Sequence, residues 1–144
     1  MIWWGGNYPD LDRLTQAGAG TMNGLLGIAF TDVGPDWLRA TMPVASKTHQ
    51  PFGRLHGGAS VTLAETVGSS SGSLVVNPAK FAVVGMEINA NHIRPAFKGF
   101  VHATAKAESL GRTTQIWTIR IENDEGKLIC LSRFTAAVIP IERK

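Results

Sequence analysis

The residues most able to do chemistry in this sequence lie between positions 50 and 65. Gln50 stands in a loop that contains proline and glycine, and a His-Gly-Gly sequence follows at 56–58. Residues 59–76 contain no proline and are mostly small or apolar, so a helix is predicted to begin at one of the two glycines. Glu65 lies inside this helix, and a carboxylate in apolar surroundings is costly unless it is paired or used. The pattern is typical of a catalytic site in which a carboxylate acts as base or nucleophile.

Size and composition limit the class of protein. The 144 residues, 44% of them hydrophobic and 17% charged, suit one domain over residues 1–144 with a sizeable core. The net charge of +3 suits an anionic small molecule, and no run of like charge indicates a nucleic-acid-binding arm or a basic membrane face. No segment approaches the roughly 20 apolar residues of a membrane span. Cys130 is the single cysteine and has no partner for an intrachain disulfide, so we expect a cytoplasmic protein.

Alternating apolar and polar residues predict a sheet around one long helix. A short helix is expected over 10–19, followed by a hairpin of two strands at 28–33 and 38–44. After the long helix, the same alternation predicts strands at about 84–91, 101–108, 117–121 and 130–138. The last strands are joined by connections too short for parallel crossovers. The predicted fold is α+β, with six antiparallel strands and a helix that should be buried on all faces, because it is apolar on nearly every side.

Two groups of motif residues connect this chain with a known family. The first extends from residues 50–52 through the His-Gly-Gly-Ala sequence to Glu65, and the second runs over 85–94. On these residues, and over nearly its whole length, the chain resembles the hotdog-fold acyl-CoA thioesterases. The resemblance is to the small bacterial enzymes that hydrolyse aromatic acyl-CoAs such as 4-hydroxybenzoyl-CoA and 1,4-dihydroxy-2-naphthoyl-CoA. It implies a hotdog fold, an acyl-CoA substrate, and neither a metal nor a cofactor.

The resemblance also implies roles for individual residues. Glu65 would be the catalytic carboxylate, and Ser69 would supply a supporting hydroxyl. Gln50 and His56 would orient the thioester, while the Gly57 amide would contact the oxyanion. Contacts with coenzyme A are implied for a second set of residues, namely Gly85, His92, Arg94, Ser109, Gly111, Arg112 and Thr113. Whether Glu65 activates water or forms a mixed anhydride stays open at this point.

The spacing of Gly57 and Glu65 predicts a dimer independently of the family. The two residues are eight apart, hence about 12 Å along one helix, whereas reacting groups must converge to within roughly 3.5 Å. A site composed of Gly57 from one subunit and Glu65 from its neighbour removes this difficulty, with the two helices antiparallel across a two-fold axis. We therefore expect an obligate homodimer, paired again into a tetramer.

Structural roles are the alternative for several of these residues. His56 could cap the helix, Glu65 could form a buried ion pair with Arg54 or Arg94, and Ser69 could serve helix packing.

Three other segments carry weaker predictions. The glycines and serines at 68–73 would permit close helix packing, and 123–126 predicts a turn and nothing more. Trp3 and Trp4 could cover an interface or be disordered.

Other functions remain open beside hydrolysis of an acyl-CoA. A non-catalytic acyl-CoA binding or sensing module would hold the same ligand without turnover. A hotdog hydratase or dehydratase also pairs histidine with an acid, but the acid in this chain lacks the surrounding dehydratase pattern. Thioesters carried on an acyl carrier protein are a further possible substrate, and the mild basic charge permits an acidic partner.

Overall fold

The computed structural model describes residues 1–142 and contains a six-stranded antiparallel sheet with one long helix packed on it. The helices are α1 (Leu11–Ala17), α2 (Met22–Leu25) and α3 (Gly57–Leu74), and two single 3-10 turns cover Trp4–Gly6 and Ser46–Thr48. The strands are β1 (Ala29–Val33), β2 (Trp37–Pro43), β3 (Phe81–His92), β4 (Phe100–Leu110), β5 (Thr114–Asn123) and β6 (Leu128–Pro140). Their order across the sheet is β1-β2-β4-β5-β6-β3. The predicted α+β fold, with α3 inserted after the second strand, is confirmed.

The core lies between α3 and one face of the central strands. The period of two along each strand keeps its apolar side chains on that face, and the register aligns them across the sheet. Leu38 on β2 stands beside Ala105 on β4, which stands beside Ile119 on β5, and all three are fully buried. On α3 the buried apolar side chains that meet this layer are Leu63, Ala64 and Val67.

Small residues let α3 approach the sheet closely, as the sequence predicts. A Cβ added at Gly68 would lie 2.9 Å from Cδ1 of Phe134, and one at Gly72 would lie 2.6 Å from Oε1 of Gln115. The buried Gln115 amide donates to the Gly72 carbonyl at 3.2 Å and accepts from the Trp117 indole at 3.0 Å. A larger side chain at either glycine would push the helix off the sheet.

The expectation that α3 is buried on all faces is wrong for the single chain. Gly58, Glu65 and Ser73 are exposed, because the sheet covers one side of the helix only. The opposite face, which carries Glu65, is open in the chain as it stands.

The N-terminal region is more ordered than the sequence indicates. Trp3 is buried and its indole donates to the Gly34 carbonyl at 2.8 Å, whereas Trp4 is exposed. The helix expected over 10–19 ends at Ala17, and α2 was not predicted, since four residues that include Gly24 show no helical periodicity. Each of the last four strands is longer than its predicted range.

The turn at 123–126 does more than reverse the chain. The Asp124 carboxylate lies 2.7 Å from Nε2 of His102 and accepts from the Phe100 amide at 3.1 Å. The hydrogen bond with His102, then the one from Phe100, lowers the pKa of Asp124 from its ordinary value. These two hydrogen bonds of Asp124 hold the turn against the start of β4.

Candidate active site

The N-terminus of α3 is built from the His-Gly-Gly sequence. His56 is the N-cap residue, and its Nδ1 accepts from the Gly58 amide at 2.8 Å. The capping role that the sequence left as an alternative is therefore real. Because Nδ1 accepts this hydrogen bond, the proton of a neutral His56 ring is on Nε2, which has no hydrogen-bond partner within residues 1–142. The Gly57 amide likewise has no acceptor among the described residues. A free N–H at the start of an 18-residue helix is a good site for developing negative charge.

A cleft of about 320 Å³ opens beside this helix end. Its lining includes five of the polar or glycine residues discussed above, namely Gln50, Arg54, Gly57, His92 and Arg94. A Cβ at position 57 would lie 2.9 Å from Nε2 of His92, so a larger residue would displace the imidazole from this close approach. Gln50 accepts from the Phe52 amide through Oε1, which leaves its NH₂ group as a donor. The cleft thus gathers two donors that the resemblance assigns to the thioester, the Gly57 amide and Gln50, whereas His56 precedes Gly57 in the chain but does not line the cleft.

Glu65 and Ser69 line a different cavity. This second cavity has a volume of about 420 Å³ and lies between α2 and the exposed side of α3. Glu65 forms no ion pair within residues 1–142, so the alternative of a salt bridge with Arg54 or Arg94 is not what the chain adopts. Its Oε1 lies against β3, where a Cβ added at Gly85 would be only 2.6 Å away. Glycine at this position leaves room for the carboxylate.

The residues assigned to coenzyme A do not form one surface in a single chain. His92 and Arg94 line the first cleft, and Arg94 also donates to the Leu128 carbonyl at 2.8 Å. Ser109 lies near the end of β4, and Gly111, Arg112 and Thr113 lie in the β4–β5 turn; all four are exposed. On β6, the residue paired with His92 and the residue paired with Thr114 are seven positions apart, hence about 23 Å along the strand. The turn therefore lies at the opposite end of the sheet from His92.

Four residues of the second cavity were missed by the sequence analysis: Met22, Asn23, Thr62 and Thr66. Thr62 precedes Glu65 by three positions on the same helix, so helical spacing could have identified it. Met22 and Asn23 belong to α2, and no local pattern in the sequence connects them with Glu65.

Other kinds of site find little support in the described part of the chain. No group of three His, Cys, Asp or Glu side chains within residues 1–142 is placed to hold a metal ion. Burial raises the pKa of the Cys130 thiol, which keeps it protonated and unreactive. Among these residues, no helix has the length and apolar character that crossing a membrane requires.

Comparison with known proteins shows which family shares this architecture. Residues 52–130 match the Thioesterase superfamily. Over 139 residues the chain is 50% identical to the 1,4-dihydroxy-2-naphthoyl-CoA hydrolase of Escherichia coli (strain K12), which covers 96% of this chain and 100% of that protein. It is 45% identical to the proofreading thioesterase EntH of Cronobacter sakazakii, over 96% of this chain and 99% of that one.

A solved structure extends the likeness to the whole fold. The crystal structure of a mutant of thioesterase PA1618 from Pseudomonas aeruginosa superposes with a TM-score of 0.95 at 46% identity. The match covers 98% of this chain and 100% of that one. The chain belongs to the thioesterase superfamily and is a thioester hydrolase with the hotdog fold.

Proposed function

We propose that the chain hydrolyses an acyl-CoA with an aromatic or otherwise bulky acyl group, releasing the free acid and coenzyme A. The observation that carries this proposal concerns residues 1–142, among which the Gly57 amide at the start of α3 has no acceptor and Glu65, farther along the same helix, has no ion-pair partner. The name of the 50%-identical hydrolase, which acts on 1,4-dihydroxy-2-naphthoyl-CoA, supports an aromatic acyl group.

In the proposed reaction, the Gly57 N–H holds the negative charge that develops on the thioester oxygen. The Gln50 NH₂ group and the His56 Nε2–H orient the same carbonyl. Glu65 either removes a proton from the attacking water or attacks the carbonyl carbon itself, forming a mixed anhydride that water then opens. In both routes the C–S bond breaks and coenzyme A leaves as its thiolate. Ser69, one turn beyond Glu65, is placed to hold the water.

We further propose that each site is shared between two subunits. Within one chain the Gly57 amide and Glu65 belong to separate cavities, and their helical spacing of about 12 Å exceeds the roughly 3.5 Å of reacting groups. Strand β3 supports the dimer, because it is a 12-residue edge strand on which Val84 and Met86 are 43% and 65% exposed. An edge strand with exposed apolar side chains is a template for pairing with another chain.

Pairing of β3 with its copy in a second subunit would also bring the two groups of residues assigned to coenzyme A closer together. In an antiparallel pair, the His92 end of one strand faces the Phe81 end of the other. The end of β4 and the β4–β5 turn of the partner, with Ser109, Gly111, Arg112 and Thr113, then approach His92 and Arg94 of the first chain. Gly85 remains beside Glu65 near the centre of the pair. We expect the dimers to pair again into a tetramer.

Thiol release from a panel of aromatic and aliphatic acyl-CoAs tests the activity. Wild type should hydrolyse one acyl class rapidly, and Glu65→Gln should lower kcat by about 10²–10⁴-fold with little change in KM. Glu125→Gln, in the exposed turn, is the matched control and should behave as wild type. Tight binding of acyl-CoA by wild type with no thiol release would favour the sensing module instead.

A cytoplasmic location is the last part of the proposal. The support for it is the free, buried Cys130 thiol, which a reducing compartment preserves. Catalysis as proposed uses side chains and backbone amides alone, with no metal and no cofactor.

A further inference from the structure

Helix α2 is four residues long, yet several hydrogen bonds hold it in place. The Gly18 carbonyl accepts from the Thr21 amide at 3.0 Å, the Thr21 hydroxyl at 2.7 Å and the Gly24 amide at 3.0 Å. At the other end, the Asn23 carbonyl accepts from the Ile28 amide at 2.9 Å. A Cβ at position 24 would lie 2.2 Å from the Ala19 carbonyl oxygen, so the turn closes tightly on glycine.

A side-chain hydrogen bond then joins α2 to the catalytic helix. The Thr66 hydroxyl donates to Oδ1 of Asn23 at 3.2 Å, across 43 positions of sequence. Thr66 is the neighbour of Glu65. On its other side the Asn23 side chain is close to Gly18, where an added Cβ would lie 2.9 Å from the Asn23 Cβ. The position of α2 relative to Glu65 is therefore set by contacts on both sides of Asn23.

The cavity between the two helices has walls of different character. On α3 it is lined by one carboxylate and four hydroxyls, those of Thr62, Glu65, Thr66, Ser69 and Ser70. On α2 it is lined by Asn23 and by Met22, whose side chain is 56% exposed and supplies the apolar contact. A thioether packs well against the face or edge of an aromatic ring, and hydroxyls suit a ring edge with polar substituents.

The acyl group belongs on this side of Glu65. In either route the carbonyl carbon lies close to Glu65, directly or across one water, so the acyl group and the thioester sulfur both begin there. His92 and Arg94, which are assigned to coenzyme A, line the cleft at Gly57, which in a shared site belongs to the other subunit. The cavity between α2 and α3 is thereby left for the acyl group. This placement depends on the proposed function.

We propose that Met22 and Asn23 of α2 determine which acyl group is accepted. Met22 packs on the flat face of an aromatic acyl group, and Asn23 is a positioning residue that holds Met22 at the required distance from Glu65. A flexible aliphatic acyl group gains less from the Met22 contact, because it presents no flat face to the thioether.

The test compares kcat/KM for benzoyl-CoA and butyryl-CoA in the full-length protein. Met22→Ala should lower kcat/KM for benzoyl-CoA about 10-fold and for butyryl-CoA less than about twofold. Met22→Leu, which keeps the side-chain volume but has no sulfur, should recover only part of the loss. Leu25→Ala is the matched control, because Leu25 lies on the same short helix, is 65% exposed and does not line the cavity. Its two kcat/KM values should stay within about twofold of wild type.

Asn23 is tested through the bond that it forms. Asn23→Ala and Thr66→Val should each reduce the benzoyl-to-butyryl ratio of kcat/KM, and the double variant should reduce it no further, since both changes remove one hydrogen bond. A variant that is only partly folded would lose activity toward benzoyl-CoA and butyryl-CoA in the same proportion, so the ratio of the two kcat/KM values would not change.

Two results would overturn the proposal: equal effects of Met22→Ala and Leu25→Ala on the ratio, or additive effects of Asn23→Ala and Thr66→Val. Calorimetric affinities of the same variants for benzoyl-CoA and for coenzyme A alone separate this proposal from the proposed function. If wild type releases no thiol, hydrolysis of these acyl-CoAs fails as a function. A selective loss of benzoyl-CoA affinity in Met22→Ala would still support the assignment of Met22, and an unchanged affinity would refute it.

Discussion

Recovery of activity in a dimer of two inactive variants is expected if the catalytic site is shared between subunits. Glu65→Gln removes the carboxylate, and Gly57→Ala places a Cβ 2.9 Å from Nε2 of His92, beside the amide assigned to the oxyanion. Loss of an oxyanion contact costs about 10²–10³-fold in kcat, and loss of a general base costs a similar factor or more. Homodimers of either variant therefore carry two defective sites and should be nearly inactive.

A heterodimer of the two variants distributes the defects unequally. One site receives both altered residues, and the other combines an intact Gly57 with an intact Glu65. Random assembly makes half of all dimers heterodimers, so one site in four is intact and activity should reach about 25% of wild type. If Gly57 and Glu65 of the same chain worked together, every chain would carry one defect and no activity would return.

Co-expression with two different affinity tags and purification through both selects assemblies that contain both variants. Thiol release should be about half that of wild type if the assembly is a dimer, because one of two sites is intact. It should be about 30% for the expected tetramer, because a tetramer of two different homodimers also carries both tags. As a control, two Glu65→Gln chains, each with one of the two tags, are co-expressed and purified in the same way. This preparation should stay inactive, and any thiol release from it would measure contamination by other thioesterases. Heterodimer activity no higher than that of the parent variants would refute the shared site.

Three further changes test the packing around the site and the stability of the fold. Gly85→Ala would place a Cβ 2.6 Å from Oε1 of Glu65, and displacing the carboxylate should lower kcat about 10–100-fold while KM changes little, as steady-state kinetics would show. Gly68→Ala overpacks α3 against the sheet, so urea denaturation should show a net loss of about 1–2 kcal/mol after the gain in helix propensity. The hydrogen bond with His102 lowers the pKa of Asp124 below its ordinary value of 3.8. The resulting stability is present above that value and is lost as the pH falls through the lowered pKa, so Asp124→Asn should flatten the decrease of Tm below about pH 4.

Much of the fold could be predicted because its signals are local. The alternation Leu38, Ala40, Met42 is enough to define a strand with one buried face, and β2 has that face in the structure. The glycine pair after His56 predicted that α3 begins at Gly57 or Gly58, and the helix begins at Gly57. Prediction failed where the chain gave no local period, as in α2, and where burial depends on what covers a helix, as with the exposed side of α3.

The candidate site divides in the same way. The residue types that serve the chemistry, an acid on a helix and donors at its N-terminus, are visible in the sequence because they lie within 16 consecutive positions. Their spacing along the helix already predicts that they lie about 12 Å apart. The two cavities into which they open are not visible in the sequence, since these depend on how α2 and the sheet pack against α3.

The sequence by itself determined the strands, the long helix and the residue types proposed for catalysis, because backbone periodicity and side-chain chemistry are properties of short segments. Only the tertiary structure decided that Asn23 bonds to Thr66, 43 positions away, and that Met22 thereby faces the cavity of Glu65. It also decided that Gly57 and Glu65 open to different sides of one chain. The bond between Asn23 and Thr66 joins segments far apart in sequence, and no local pattern encodes it. The distance between Gly57 and Glu65 follows from the rise of one helix, but the cavities on its two sides depend on what packs there.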